Sequence, residues 1–102
     1  MRSRGSEYKR WLDGGAVNDA HDEIIPGGTQ ISAEVRMSPH GACTTFVGIY
    51  LQNGLAVFEE IYATLHSSAE LGLGWATDRA FAEHSANYSQ VSALPVRPPR
   101  MV

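Results

Sequence analysis

The sequence predicts an α+β domain in which a three-stranded antiparallel meander carries a C-terminal helix on one face. Apolar and polar residues alternate over residues 31–37, which is the pattern of a half-buried strand. Asn53-Gly54 lies between two segments rich in β-forming residues and is a strong hairpin signal. Ser67 and Glu70 form a capping box, which marks the start of a helix. A chain of 102 residues is long enough for one such domain.

Residues 1–29 are expected to form an N-terminal arm that lies outside the sheet and is partly flexible. Ser6 can cap a short helix over about residues 6–13, because Gly14 and Gly15 follow as helix-ending residues. The next segment, AVNDAHDEIIPGG, is polar and ends in turn-forming residues. It is interpreted as a connector that leads into the first strand.

The three strands are expected at about residues 30–37, 43–52 and 55–65. The SPHGA segment contains Pro and Gly, which suits a longer hairpin loop that pairs Met37 with Cys43. A two-residue type I′ turn at Asn53-Gly54 would make Gln52 face Leu55. Counting back along the two strands gives three more facing pairs: Tyr50 with Val57, Gly48 with Glu59, and Phe46 with Ile61.

The C-terminal helix is expected over about residues 68–86 and completes a βββα domain that spans residues 30–88. Gly72 and Gly74 each cost a helix roughly 1 kcal/mol relative to alanine. They are interpreted as small residues that let the helix lie close to the sheet. From residue 89 onward the sequence loses its periodicity and gains proline, so residues 89–102 are predicted to be a disordered tail.

The predicted register places apolar side chains on both faces of the sheet. The face that the C-terminal helix should cover carries mostly apolar residues: Ile31, Ala33, Val35, Met37, Val47, Ile49, Leu51, Phe58 and Tyr62. Glu60 falls on this face too, which requires that it lie beyond the helix or next to a bulge. The second face carries five large apolar or aromatic residues: Phe46, Tyr50, Leu55, Val57 and Ile61. Leaving these five exposed would forgo roughly 10 kcal/mol at ~25 cal/mol per Å², so the second face needs a cover.

Three covers for the second face follow from the sequence. The chain itself can supply one from apolar residues near either end: Tyr8, Trp11 and Leu12, or Val91, Leu94 and Val96. A second copy can pack sheet to sheet or edge to edge as a symmetric dimer. A different protein, a peptide or a small ligand can use a notch that Gly48 leaves between Phe46 and Tyr50.

Charge is distributed unevenly along the chain and argues against nucleic-acid binding. Between residues 11 and 90 ten acidic residues are opposed only by Arg36 and Arg79, so this part carries a charge of about −8. A domain that depends on phosphate contacts has the opposite distribution. The predicted order of elements resembles that of double-stranded RNA-binding domains. However, Ser68-Ala69-Glu70 stands where such a domain needs a basic helix start, so no RNA-binding function is carried over.

Neither a membrane location nor an oxidising compartment is expected. No apolar run approaches ~18 residues, so no membrane span is predicted. Cys43 is the single cysteine of the chain, which excludes an intramolecular disulfide and indicates the cytoplasm.

No residue pattern predicts a catalytic site, a bound metal or a cofactor. Cys43 and His40 could form a nucleophilic pair, but no third group is identified that would orient the histidine, so a buried cysteine is favoured. The acidic cluster in residues 19–23 lacks the spacing of a calcium loop, and a solvated connector is favoured there. The sequence therefore predicts a protein that is not an enzyme and has no cofactor.

The favoured function is a small protein-interaction domain that associates with itself through a sheet face or edge. The predicted interaction residues lie on the second face: Phe46, Tyr50, Val57, Glu59 and Ile61. The alternative is an acidic inhibitor or regulator that binds a basic surface on a partner protein. Both hypotheses predict a protein partner.

Overall fold

The computed structural model of the chain describes residues 4–38 and 42–88, which form a four-stranded antiparallel sheet with one helix on each face. Its elements in chain order are α1 (Ser6–Asp13), β1 (Asp19–Ile24), β2 (Gln30–Met37), β3 (Cys43–Tyr50), β4 (Ala56–Thr64) and α2 (Ala69–Glu83), which continues as a π-helical turn (His84–Tyr88). The α+β fold class and both predicted helices are confirmed. The predicted tail at residues 89–102 and the loop tip with His40 lie outside the described residues.

The prediction of three strands is wrong, because the segment interpreted as a connector forms β1. This strand pairs antiparallel with β2, and the strands lie in the order β1-β2-β3-β4. A tight turn at Pro26-Gly27 joins the two strands: Gly28 donates to the carbonyl of Ile25 at 2.9 Å, and both glycines have positive φ. All six side chains of β1 are exposed. The alternation of apolar and polar residues by which a half-buried strand is recognised is therefore missing.

The main core lies between α2 and the face of the sheet that it covers. It consists of apolar residues from β2, β3 and α2: Ile31, Ala33, Val47, Ile49, Ala76 and Ala80. α2 begins one residue later than the predicted capping box, because Ser68 is the N-cap and its Oγ accepts from the amide of Leu71 at 3.2 Å. Neither described helix has the length and apolar content needed to cross a membrane.

Gly72 is the point at which α2 comes closest to the sheet. A Cβ added there would lie 2.6 Å from Cys43 Sγ and 2.9 Å from a methyl group of Val35, so a larger residue would push the helix away. The predicted packing role of glycine therefore holds at Gly72. It does not hold at Gly74, where the space around an added Cβ is open.

The pairing of β2 with β3 agrees with the sequence, but the turn between β3 and β4 does not. Met37 faces Cys43 as predicted. In the next hairpin Gly54 donates to the carbonyl of Leu51 (2.8 Å), and Leu51 donates to the carbonyl of Leu55 (2.9 Å). These bonds close a three-residue loop with Gly54 at φ 95°, instead of the predicted two-residue type I′ turn.

A β-bulge at Val57 compensates for the longer turn. The predicted pair of Tyr50 with Val57 is wrong, because Tyr50 faces Ala56. Val57 is the extra residue between this pair and the next, in which Ile49 faces Phe58. Beyond the bulge the predicted pairs are found: Gly48 with Glu59 and Phe46 with Ile61.

Candidate interaction site

α1 covers the second face of the sheet, so the chain itself supplies the cover that the sequence requires. Trp11 is buried, and its ring centroid lies 6.1 Å from that of Phe46. The ring of Tyr8 meets Phe46 edge to face at 4.9 Å. Leu12, the third predicted covering residue, remains half exposed. Of the three covers considered from the sequence, the N-terminal segment is the one found.

Charged side chains of the sheet bind both ends of α1. At the N-terminus the carboxylate of Glu59 accepts from the amides of Gly5 (2.8 Å) and Tyr8 (3.2 Å). At the C-terminus Arg36 donates to the carbonyls of Trp11 (2.7 Å) and Gly15 (2.6 Å). A carboxylate at the N-terminus and a guanidinium at the C-terminus both complement the helix dipole and satisfy backbone groups that a helix leaves unpaired.

A network of polar side chains fills the space between α1 and the sheet. Tyr50 donates its hydroxyl hydrogen to Glu59 (2.6 Å), and Arg4 donates to the same hydroxyl oxygen (3.0 Å). Glu34 accepts from the hydroxyl of Tyr8 (3.0 Å) and from the indole nitrogen of Trp11 (2.7 Å). The carboxylate of Glu34 is thus buried with both oxygens hydrogen-bonded, as a buried charge requires.

The pKa of Tyr50 is raised well above its ordinary value by this environment. Burial is the main cause, and the hydrogen bond that Tyr50 donates to Glu59 adds to it. The nearby guanidinium of Arg4 acts in the opposite direction but does not reverse the shift. For Arg4 itself, burial is the largest effect and lowers the pKa, but the hydrogen bond to Tyr50 and the electrostatic attraction of Tyr50, Tyr8 and Glu34 together outweigh it, so the pKa is raised.

The structure does not bring the five predicted interaction residues together on an exposed surface. Phe46 and Tyr50 are fully buried under α1, and the carboxylate of Glu59 is bound to the same helix. Val57 packs against the core on the α2 side because of the bulge, while Ile61 is half-buried opposite Phe46.

The notch expected at Gly48 is already filled. A Cβ at Gly48 would lie 2.7 Å from the ring of Tyr50 and 3.0 Å from that of Phe46. Glycine is therefore needed here so that its aromatic neighbours on the same strand can lie over the backbone. This position leaves no room for a ligand.

Sequence reasoning missed the partners of α1. Tyr8 and Trp11 lie three residues apart, which places both on one face of a helix, and this spacing was a usable signal. The carboxylates that bind them come from the remote residues Glu34 and Glu59. Only knowledge of the strand pairing could have connected these groups to the helix.

The residues considered as candidates for a catalytic or metal-binding site lie in separate parts of the fold. Cys43 is a buried free thiol at the start of β3, against Gly72 of α2. The acidic residues 19–23 belong to the exposed strand β1, where His21 pairs with Glu23 at 3.0 Å. Within residues 4–38 and 42–88, no group of three or more metal-ligating side chains could hold a metal ion.

The two edges of the sheet differ in character. β1 has six residues, all exposed, and three of them are acidic: Asp19, Asp22 and Glu23. β4 has nine residues, most of them half-buried, and its aromatic and aliphatic side chains outnumber its charges. In the part of the chain that the structure describes, β4 pairs with β3 alone and no further strand covers its outer side.

Aromatic and apolar side chains lie beside the outer edge of β4 on the α2 side. The ring of Tyr62 meets Trp75 edge to face at 5.2 Å, and Arg79 donates to the hydroxyl of Tyr62 at 3.3 Å. Leu71, one turn before Trp75, is 56% exposed, and Leu65 at the end of β4 is completely exposed. Large apolar side chains at the rim of a strand edge are typical of contact surfaces.

Glu60 is the charged residue of this region. It lies on the α2 face, opposite Val47, yet it is exposed, because α2 packs mainly on β2 and β3. Its charge is close enough to act on Arg79. Of the two placements that the sequence allowed for Glu60, beyond the helix or beside a bulge, the first is found.

The outward-pointing backbone groups of β4 follow from the ladder. Ser38 donates to the carbonyl of Ala42 (2.9 Å) where β2 leads into β3. Residues 38 and 42 thus form a hydrogen-bonded pair, and such pairs alternate with non-hydrogen-bonded pairs along an antiparallel ladder. The backbone groups of even-numbered β3 residues therefore bond to β2, and those of odd-numbered β3 residues bond to β4. Beyond the bulge at Val57, the amide and carbonyl groups of three β4 residues therefore point away from the sheet: Glu59, Ile61 and Ala63.

Comparison with known proteins adds no functional information. The chain matches no protein-family model, and searches of curated proteins and of solved structures give no significant match. The geometry of the chain itself must therefore support any functional proposal.

Proposed function

We propose that this protein is a small, non-enzymatic interaction domain of the cytoplasm that associates with a second copy of itself through the outer edge of β4. The observation that supports this proposal is the contrast between the two edge strands. An uncovered strand edge presents a row of unpaired amide and carbonyl groups that another strand can bind. β4 is the longer edge strand and the one whose side chains favour such a contact.

β1 carries the features by which proteins protect an edge from pairing. It is short, fully exposed and acidic, so two copies of β1 would bring like charges together. β4 has only Glu59 and Glu60 as charged residues, and the carboxylate of Glu59 is turned towards α1. The half-buried side chains beside this edge, such as Tyr62, would lose further contact with water in a dimer.

The second sheet face no longer supports self-association. Phe46 and Tyr50 are already buried within one chain, so a contact through that face would require α1 to leave. Of the two contact surfaces predicted from the sequence, a sheet face or a sheet edge, we therefore propose the edge.

A proline substitution on each edge tests the proposal. Ala63 is exposed and its amide points outward, so Ala63→Pro removes an edge donor without breaking the ladder to β3. The matched control is Ala20→Pro on β1. Ile25 donates to the carbonyl of Thr29, so odd-numbered residues of β1 bond to β2 and the amide of Ala20 also points outward.

We expect the wild-type chain and Ala20→Pro to be dimers at micromolar concentration by light scattering, and Ala63→Pro to be a folded monomer by light scattering and circular dichroism. A wild-type chain with the mass of one copy at high concentration would contradict the proposal. A dimer that persists in Ala63→Pro would contradict it as well.

The exposed acidic strand β1 favours a second candidate function, an acidic regulator that binds a basic protein surface. Asp19, Asp22 and Glu23 share this strand, in a part of the chain with a charge of about −8 between residues 11 and 90. Binding to polylysine as a basic probe should then weaken steeply from roughly 0.05 to 0.5 M salt. The double variant Asp22→Asn/Glu23→Gln should also bind polylysine more weakly. Binding that is unaffected by both changes would exclude this function.

A further inference from the structure

The register of the dimer can be inferred if the edges of β4 pair as proposed above. On that basis we infer that the two β4 strands run antiparallel about a two-fold axis at Ile61, so that Ile61 faces Ile61 of the second copy. This arrangement pairs Glu59 with Ala63 of the second copy, and Glu60 with Tyr62 of the second copy. The partner is a second copy of this chain, and three observations select the register.

The first observation is the direction of the backbone groups. In the regular part of β4 beyond the bulge, the amides and carbonyls of Glu59, Ile61 and Ala63 point outward, so these residues must face one another across the interface. With the axis at Ile61 they form three hydrogen-bonded pairs, or about six backbone hydrogen bonds. The symmetry requires that the same edge be used by both copies.

The second observation is the length of regular strand on either side of the axis. An axis at Glu59 would carry the pairing across the bulge at Val57, where the spacing of backbone groups is broken. The regular part of β4 runs from the bulge to Thr64, that is over residues 58–64, and an axis at Ile61 pairs all of it. An axis at Glu60 would pair only residues 58–62, and an axis at Tyr62 only residues 60–64.

The third observation is charge. An axis at Glu60 would place Glu60 directly opposite its own copy, and like charges facing each other across strands are destabilising. An axis at Ile61 instead places Glu60 opposite Tyr62, whose hydroxyl accepts a hydrogen bond from Arg79 at 3.3 Å. Glu60 of each copy then meets the guanidinium of the other copy. In this register the charges of the edge are therefore self-complementary.

The structure leaves these groups accessible for such a contact. Glu60 and Arg79 are both exposed, and Arg79 pairs with Glu83 on its own helix at 3.4 Å. Trp75 lies against Tyr62 and would flank the new ion pair. Because α2 packs on β2 and β3, it does not obstruct a strand that approaches β4.

Cysteine cross-linking tests the register directly. Facing residues of a bonded antiparallel pair have Cα atoms ~5.5 Å apart, which suits a disulfide. Ile61→Cys, oxidised with glutathione disulfide, should therefore give a covalent dimer on a non-reducing gel. Ala63→Cys is the matched control, because in this register Ala63 faces Glu59 and lies roughly 13 Å along the strand from its own copy. The wild-type chain, with its buried Cys43, reports the background.

Charge exchange provides an independent test. Glu60→Arg and Arg79→Glu should each raise the dimer dissociation constant about tenfold, and the double variant should restore it to within about threefold of wild type. Both residues are exposed, so the single variants should remain folded by circular dichroism.

The outcomes separate the register from the proposed function. If Ala63→Pro dissociates the dimer, but Ile61→Cys gives no cross-link and the double charge variant does not restore association, the register is wrong and edge pairing stands. A chain that is monomeric throughout overturns both. Cross-linking at Ile61 with restoration by the double variant supports both.

Discussion

Glu59 connects three parts of the structure through a single carboxylate. One oxygen accepts from the amide of Gly5 and from the hydroxyl of Tyr50, and the other accepts from the amide of Tyr8. A helix N-terminus is usually capped by a residue within its own first turn, but here the cap comes from β4. The strand thereby determines where α1 begins.

Replacing Glu59 by glutamine should destabilise the protein without changing its fold. The amide keeps one acceptor oxygen but loses the charge at the helix N-terminus and turns donors towards the amides of Gly5 and Tyr8. We expect the free energy of unfolding to fall by about 1–3 kcal/mol, measured by urea denaturation. Asp78→Asn, an exposed change on α2, is the control and should have little effect. A loss that is equal in both variants would contradict the capping role.

Tyr50 should make the protein sensitive to alkaline pH. Its pKa in the folded chain is raised above the unfolded value of about 10, so the folded state binds the proton more tightly. This contribution to stability is complete below pH ~10 and is lost as the pH rises towards the folded pKa. In Tyr50→Phe the decline in the free energy of unfolding above pH ~10 should be smaller than in wild type. Tyr8, whose pKa is also raised, should leave a residual decline.

At the scale of the element, α2 shows that two glycines in one helix can have opposite roles. Gly72 faces Cys43 and Val35, whereas Gly74 faces open space. In a helix, glycine is less favourable than alanine by roughly 1 kcal/mol. The structure therefore separates a glycine that packing requires from one that only weakens the helix.

Alanine substitutions should change stability in opposite directions at the two positions. Gly72→Ala should lower the free energy of unfolding by about 1–3 kcal/mol, because the new methyl group overpacks a buried contact. Gly74→Ala should raise it by about 0.5–1 kcal/mol through helix propensity alone. Thermal or urea denaturation of the pair measures the difference. Stabilisation by Gly72→Ala would mean that α2 can move away from the sheet at no cost.

Elements with a clear local pattern could be predicted, and those defined by remote contacts could not. The alternation over β2 and the glycines after α1 are local signals, and both elements lie where the sequence indicated. β1 has no such alternation because both of its faces are exposed. The bulge at Val57 follows from a loop that is one residue longer than Asn53-Gly54 suggests, and the dipeptide alone does not specify that length.

The candidate site was less predictable than the fold. The sequence indicated that the second face needs a cover, and Tyr8 and Trp11 were among the residues considered for it. It did not show that this cover would bury Phe46 and Tyr50 and so remove them from the surface. That result depends on polar contacts between segments far apart in the chain, such as Trp11 with Glu34.

At the scale of the whole molecule, one edge of the sheet is acidic and the other is largely apolar, so the proposed self-association would use the β4 edge. If β4 edges pair, folding and association are coupled, because ligands that bind only the folded state stabilise it by mass action. The apparent stability of the protein then depends on its concentration.

The melting temperature should therefore rise with protein concentration. Differential scanning calorimetry at about 5 and 500 μM should show an increase of several degrees for the wild-type chain. Ala63→Pro should melt at one temperature at both concentrations. A wild-type melting temperature that does not depend on concentration would argue against a dimer in this range.

The attachment of α1 to the sheet has a consequence for biosynthesis. α1 leaves the ribosome before Glu59 is translated, and an eight-residue helix is not stable alone in water. At roughly 5–20 residues per second, several seconds pass between the synthesis of Tyr8 and that of Glu59, whose carboxylate binds the amide of Tyr8. Until then the N-terminus of α1 lacks its cap, so the first helix of the chain can become ordered only after the strands that hold it have been made.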